Sequence, residues 1–88
     1  MTDDPVPIPI ERELDLHAFA PRDIPSVVAA YLDAAHEAGL DEVRLIHGRG
    51  IGMQRANVQA LLGTLPWVDD FWDDASLGAT VVVLRIED

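Results

Sequence analysis

Two short stretches of this chain carry side chains that can move protons or hold anions. The first is Asp15-Leu16-His17. An imidazole titrates near neutral pH and serves as a general base or acid. Residues two apart on a strand project to the same side, so Asp15 is expected to orient His17. The second stretch is His47-Gly48-Arg49-Gly50-Ile51-Gly52. Glycines at alternate positions let the backbone turn tightly and approach a ligand closely. A helix beginning near Met53 offers free N–H groups and a partial positive charge, which suits a phosphate. His47 adds a second imidazole. Gly48, Gly50 and Gly52, with the guanidinium groups of Arg49 and Arg55, are the candidate phosphate holders.

The charge pattern points to the same stretch. From Val43 to Val68 there are three arginines and no carboxylate, whereas the rest of the chain holds three arginines and all sixteen acids. The local charge is therefore +3 and the remainder −13, which gives the net −10. So acidic a chain is poorly suited to broad, non-specific nucleic-acid binding, which needs a cationic footprint, but a small local site is compatible with it. There is no cysteine, which excludes disulfides and thiolate metal sites and agrees with a cytoplasmic home. No apolar run approaches the roughly 18 residues of a membrane span, and no secretory signal is visible.

These residues need elements to position them. Pro5, Pro7 and Pro9 alternate with Val6, Ile8 and Ile10, so residues 1–12 are expected as an extended arm that cannot be a central strand. Residues 13–88 form one small domain. Leu14 and Leu16 alternate with polar neighbours, predicting a first strand from Glu13 to His17. Asp23 is the expected cap of a helix running to about Ala38, with Val28, Tyr31, Leu32 and Ala35 on its apolar face and Gly39 at its end. His36 lies one position beyond that face and is given no role. Val43–Ile46 reads as the second strand. Val58, Leu61, Leu62 and Leu65 mark a second amphipathic helix, ended by Pro66. Val68–Trp72 is a third strand, and the β-branched run Ala79–Ile86 a fourth. The order β-α-β-α-β-β predicts an α/β two-layer sandwich: a mixed four-stranded sheet with two helices on one face. That arrangement brings the ends of the first two strands, and so both chemical stretches, to one edge. Trp67, Phe71 and Trp72 are expected to close the small core, with one tryptophan exposed.

In this order and spacing, LDLH (Leu14–His17), IHGRGIG (Ile46–Gly52) with Arg55 beyond it, and the closing GATVVVL (Gly78–Leu84) resemble the Smr (small MutS-related) domain in its stand-alone form. The resemblance implies a fold similar to the C-terminal domain of a bacterial translation initiation factor. It also implies DNA or RNA as partner, with nicking or endonuclease activity linked to DNA repair, recombination or RNA quality control. Asp15 and His17 match positions associated with catalysis, and His47, Gly48 and Gly50 match the loop associated with substrate binding or cleavage. The sequence departs from the pattern at Ala18, where glycine is usual. It departs again at Ser76-Leu77-Gly78, a reduced glycine loop preceded by Asp73 and Asp74.

Phosphodiester cleavage needs an activated nucleophile, a stabilised phosphorane-like transition state and a protonated leaving oxygen. His17 is the candidate base or acid, and His47 the second imidazole. On RNA the 2′-hydroxyl can attack, so two imidazoles suffice; on DNA water must attack, and a divalent ion has more to contribute. Asp15, His17 and His47 are suitable metal-ligand types, but their spacing does not show that they meet in tetrahedral geometry, so cofactors stay open, a divalent metal among them. Asp69, Asp70, Asp73 and Asp74 form an acidic cluster without a recognised cation-loop pattern. The alternative is a non-catalytic interaction module whose acidic surface and N-terminal arm dock on a protein, such as a ribosomal or repair component.

Overall fold

The structure, a computed structural model, describes residues 10–48, 53–75 and 78–86. The order is β1 (Glu13–Asp15), α1 (Ile24–Glu37), β2 (Glu42–Ile46), α2 (Met53–Leu62), β3 (Val68–Asp73) and β4 (Ala79–Leu84). Spatially the strands run β1-β2-β4-β3, with β1 parallel to β2 and β4 antiparallel to both its neighbours. The expected mixed four-stranded sheet with two helices is what forms.

The layering follows from side-chain alternation. Val43 and Leu45 of β2, with Val82 and Leu84 of β4, point to one face of the sheet. They are buried against Ile24, Val28, Leu32 and Ala35 of α1 and Val58 and Leu62 of α2. Burying one such leucine stabilises the fold by about 1.5–3 kcal/mol. Phe71 packs against this core, whereas its neighbour Trp72 faces the other way and is 47% exposed. His36, half-buried, stacks on Trp67 with ring centroids 5.0 Å apart.

Besides β2 starting at Glu42, α2 ending at Leu62 before Leu65 and β3 running to Asp73, two boundaries and one helix cap differ from those expected for a local reason. β1 stops at Asp15 and not at His17, because the Asp15 carboxylate accepts the His17 N–H and caps a 3-10 turn over Leu16–Ala18. Asp23 stands at the N-cap position of α1, as expected, but its side chain makes no capping bond. It ends a second 3-10 turn, Pro21–Asp23, that runs directly into the helix, and its N–H donates to the Ala20 carbonyl. β4 ends at Leu84, where its register with the start of β3 ends. The C-terminus of α1 is closed as Gly39 predicts. Gly39 takes a φ of +82°, and the Gly39 and Leu40 N–H groups return to the carbonyls of His36 and Ala35.

Most of the expected N-terminal arm lies outside the described residues. Its last part packs on the domain: Ile10 lies against the core, and the Arg12 carbonyl accepts the Arg44 N–H. The Tyr31 hydroxyl donates to the Glu11 carbonyl. Burial, with the nearby Glu11 and Glu13 carboxylates, pushes that phenol up to about 12, so it remains a donor at any ordinary pH.

Candidate active site at the end of the parallel strands

β1 and β2 run in parallel with Asp15 opposite Ile46, so the residues that follow each strand emerge side by side. After β1 the 3-10 turn swings His17 around, and its Nδ1 lies 2.7 Å from Asp15 Oδ1. The same oxygen accepts the His17 backbone N–H at 2.9 Å. That backbone bond, then the imidazole bond, hold the Asp15 carboxyl below its ordinary 3.8. An ionised Asp15 accepts, so Nδ1 of His17 carries the proton and Nε2 presents a lone pair.

Nε2 faces Gly48. A Cβ placed on Gly48 would lie 2.6 Å from it, and Gly48 has a φ of +82°. Both facts demand glycine at this position. His17 borders a hollow of about 180 Å³, lined also by Leu16, Phe19, Ile24, His47 and Gln54.

His47 is placed differently from His17. It is only 7% exposed, and both ring nitrogens are engaged: Nδ1 with the Gly48 carbonyl at 2.9 Å and Nε2 with Thr80 Oγ1 at 3.0 Å. A carbonyl only accepts, so Nδ1 donates and Nε2 accepts the Thr80 hydroxyl proton. The backbone N–H groups of His47 and Gly48 both donate to the Gly78 carbonyl, at 3.0 and 2.9 Å. The Gly48 amide is therefore engaged within the protein.

The chain of contacts continues behind His47. Gln59 donates to Thr80 Oγ1 at 3.2 Å and to Asp73 Oδ1 at 2.8 Å. Arg55 clamps Asp73 through two bonds of 2.7 and 3.0 Å. Thr80, fully buried, joins these groups and was not singled out in the sequence. The available signal was its position: a hydroxyl inside a buried β-branched run must find partners. Replacing Thr80 by valine keeps the shape but strands His47 Nε2 and one Gln59 donor. The expected loss is about 1–3 kcal/mol, read from urea denaturation of the two proteins.

The two described arginines of the cationic segment are both matched by carboxylates. Arg44 bonds to Glu13 and Asp74, and Arg55 to Asp73. The acidic cluster is dispersed in the same way: Asp69 pairs with Arg85, and Asp70 accepts the Phe71 N–H. Among the described residues no three His, Asp or Glu side chains are grouped to hold a metal ion. Arg49, Gly50 and Gly52 lie outside the described residues.

Asp73 gives a pH prediction. The Gln59 bond, then the Arg55 bonds, hold its carboxyl below 3.8. A carboxyl depressed by folding contributes stability above its unfolded value and loses it as pH falls through the folded one. The urea midpoint of the protein should therefore drop as pH falls from about 4 downwards. In Asp73→Asn the drop should be shallower, since one depressed carboxyl is gone.

Comparison with known proteins bears on this geometry. The family model of the Smr domain matches residues 14–85. Endonuclease MutS2 of Clostridium tetani is 34% identical over 80 residues, which cover 86% of this chain and 10% of that protein. Endonuclease MutS2 of Thermomicrobium roseum is 34% identical over 82 residues, again 10% of its length. The chain thus spans a tenth of the length of these relatives. The crystal structure of the Smr domain of Thermus thermophilus MutS2 matches with a TM-score of 0.78 at 32% identity, covering 83% of this chain and 96% of that one. YdaL, a stand-alone small MutS-related protein from Escherichia coli, also matches at 0.78, covering 84% of this chain and 64% of that one. At 24% identity that second likeness is one of fold. No described helix is long and apolar enough to cross a membrane.

Proposed function

This chain belongs to the Smr domain family, and from that premise we propose that it binds nucleic acid and cleaves its phosphodiester backbone, with His17 as the proton-transfer group. The observation that carries the reading is the Asp15–His17 pair: Nδ1 is held 2.7 Å from the carboxylate, and the ring is seated against Gly48 where any Cβ would collide with Nε2. MutS2 relatives bear the name endonuclease, which accords with a hydrolytic site.

On RNA, Nε2 takes the proton of a 2′-hydroxyl as that oxygen bonds to phosphorus and the P–O5′ bond breaks. On DNA, the same nitrogen takes a proton from water as the water oxygen bonds to phosphorus and one P–O ester bond breaks. Asp15 keeps the imidazole in the tautomer that can do this and stabilises the imidazolium that forms. His47 is a positioning residue. Its ring nitrogens are engaged by Gly48 and Thr80, so the leaving oxygen draws its proton from solvent or from His17 after the first transfer. Arg49, Gly50 and Gly52 remain the phosphate holders of this proposal, and Arg55 supports the His47 corner through Asp73 and Gln59.

The test is a cleavage assay at low salt on end-labelled single-stranded RNA, structured RNA and supercoiled DNA, with and without chelator. Cleavage of any substrate supports the reading. The chelator lanes report whether a divalent ion contributes. Absence of both cleavage and binding for all three substrates would remove it.

A further inference from the structure

The hollow beside His17 does not end there. At Ile24 and Gln54 it meets a second hollow of about 100 Å³, lined also by Pro21, Pro25, Asn57, Val58 and Leu61. Together they form a groove between the start of α1 and the outer side of α2. Away from His17 its walls are mostly apolar, and Phe19, one of them, is 38% exposed. Two side-chain amides stand on its α2 side, Gln54 and Asn57, and neither has a hydrogen-bond partner among the described residues. One arginine lies on the 3-10 turn that forms its rim. Arg12, Arg44, Arg55 and Arg85 each hold a carboxylate, whereas Arg22 holds none among the described residues.

We propose that this groove receives an unpaired nucleobase next to the phosphate presented to His17, so that the substrate is a single strand or an unpaired segment. The inference rests on the phosphodiester-cleaving reading and adds the substrate's form to it. Each hollow is well below the roughly 300–1,000 Å³ of sites that enclose a drug-sized ligand, which suits one flat ring. Phe19 offers a face for stacking, which is tolerant of base identity. Gln54 and Asn57 carry both a donor and an acceptor, the complement of a base edge that pairing would otherwise occupy. A base held in a duplex presents its edge to its partner and its faces to its neighbours, and cannot enter. Arg22, on the same 3-10 turn as the groove-lining Pro21, is left to meet a phosphate of the strand. In a chain of net charge −10, such specific contacts must supply what a general cationic surface does not.

The experiment measures binding by fluorescence anisotropy, at low salt, to three labelled probes of one length. They are a 2′-O-methyl single strand (which lacks the attacking hydroxyl), the same strand in a blunt duplex, and an abasic single strand. The wild type should bind the single strand most tightly. Phe19→Ala should weaken that binding about tenfold and leave the other two affinities unchanged. Phe19→Leu, which keeps bulk without the ring, should fall between. Both variants alter an exposed side chain and are checked by circular dichroism. Equal affinity for all three probes would overturn the groove, as would an equal loss on all three in Phe19→Ala, while leaving the proposed function in place. No binding to any probe, with no cleavage, would overturn the function and the groove together.

Discussion

His17→Ala should lower the cleavage rate by about 10²–10⁴-fold, the usual contribution of a positioned proton-transfer group. The fold should survive. The His17 side chain is 61% exposed, and Asp15 can still cap the 3-10 turn through its bond to the residue 17 backbone N–H. Thermal and urea unfolding should therefore sit close to wild type while the cleavage gel does not. Asp15→Asn supplies the comparison. Its side-chain oxygen can still accept the backbone N–H, but the carboxylate that selects the His17 tautomer and stabilises the imidazolium is gone. Its rate should fall between the two. Cleavage at the wild-type rate in His17→Ala would remove the imidazole from the reaction.

Gly48→Ala should lose both stability and activity, and Gly39→Ala shows how to separate the causes. The two glycines have the same φ of +82°. Either substitution forces an L-residue into the left-handed region at a cost of about 1–2 kcal/mol. At Gly39 an added Cβ meets nothing within 4 Å, whereas at Gly48 it lies 2.6 Å from His17 Nε2. Gly39→Ala should therefore show only the backbone cost and cleave normally when folded. Gly48→Ala should be destabilised further and should cleave poorly even under conditions where it is fully folded, because His17 must move off its Asp15-held position. Equal stability losses and normal cleavage in both variants would mean that the His17–Gly48 contact has no part in the site.

Much of the fold was legible because it is written in local periodicity. The apolar spacing of Val58, Leu61 and Leu62 marks α2, which ends before Leu65, and the β-branched stretch from Ala79 makes β4. Gly39 closes α1 with the geometry that only a residue tolerant of positive φ allows. The misplaced boundaries involve polar residues that can serve either a strand or a turn. The alternation places Asp15 inside a strand that runs to His17, whereas Asp15 ends β1 and caps the 3-10 turn that follows. Asp23 stands at the expected cap position of α1 but makes no capping bond there, and it ends the turn before the helix. A short polar side chain competes with regular structure by bonding to its own backbone, and the winner depends on what surrounds it.

By itself the sequence determined the element order, the two-layer packing and the family, since apolar spacing and glycine placement act over a few residues. It also marked Asp15, His17 and Gly48, which the tertiary structure then brought together at one sheet edge. Only the tertiary structure decided the roles of the rest. The +3 segment from Val43 to Val68 looked like a phosphate-binding surface, yet Glu13, Asp73 and Asp74 fold onto Arg44 and Arg55. His47 and His17 look alike in sequence, but one is sealed between Gly48 and Thr80 while the other has a ring nitrogen with no partner among the described residues. Coulomb interactions and hydrogen bonds depend on distances through space, and those are set only once β1, β2 and β4 have paired.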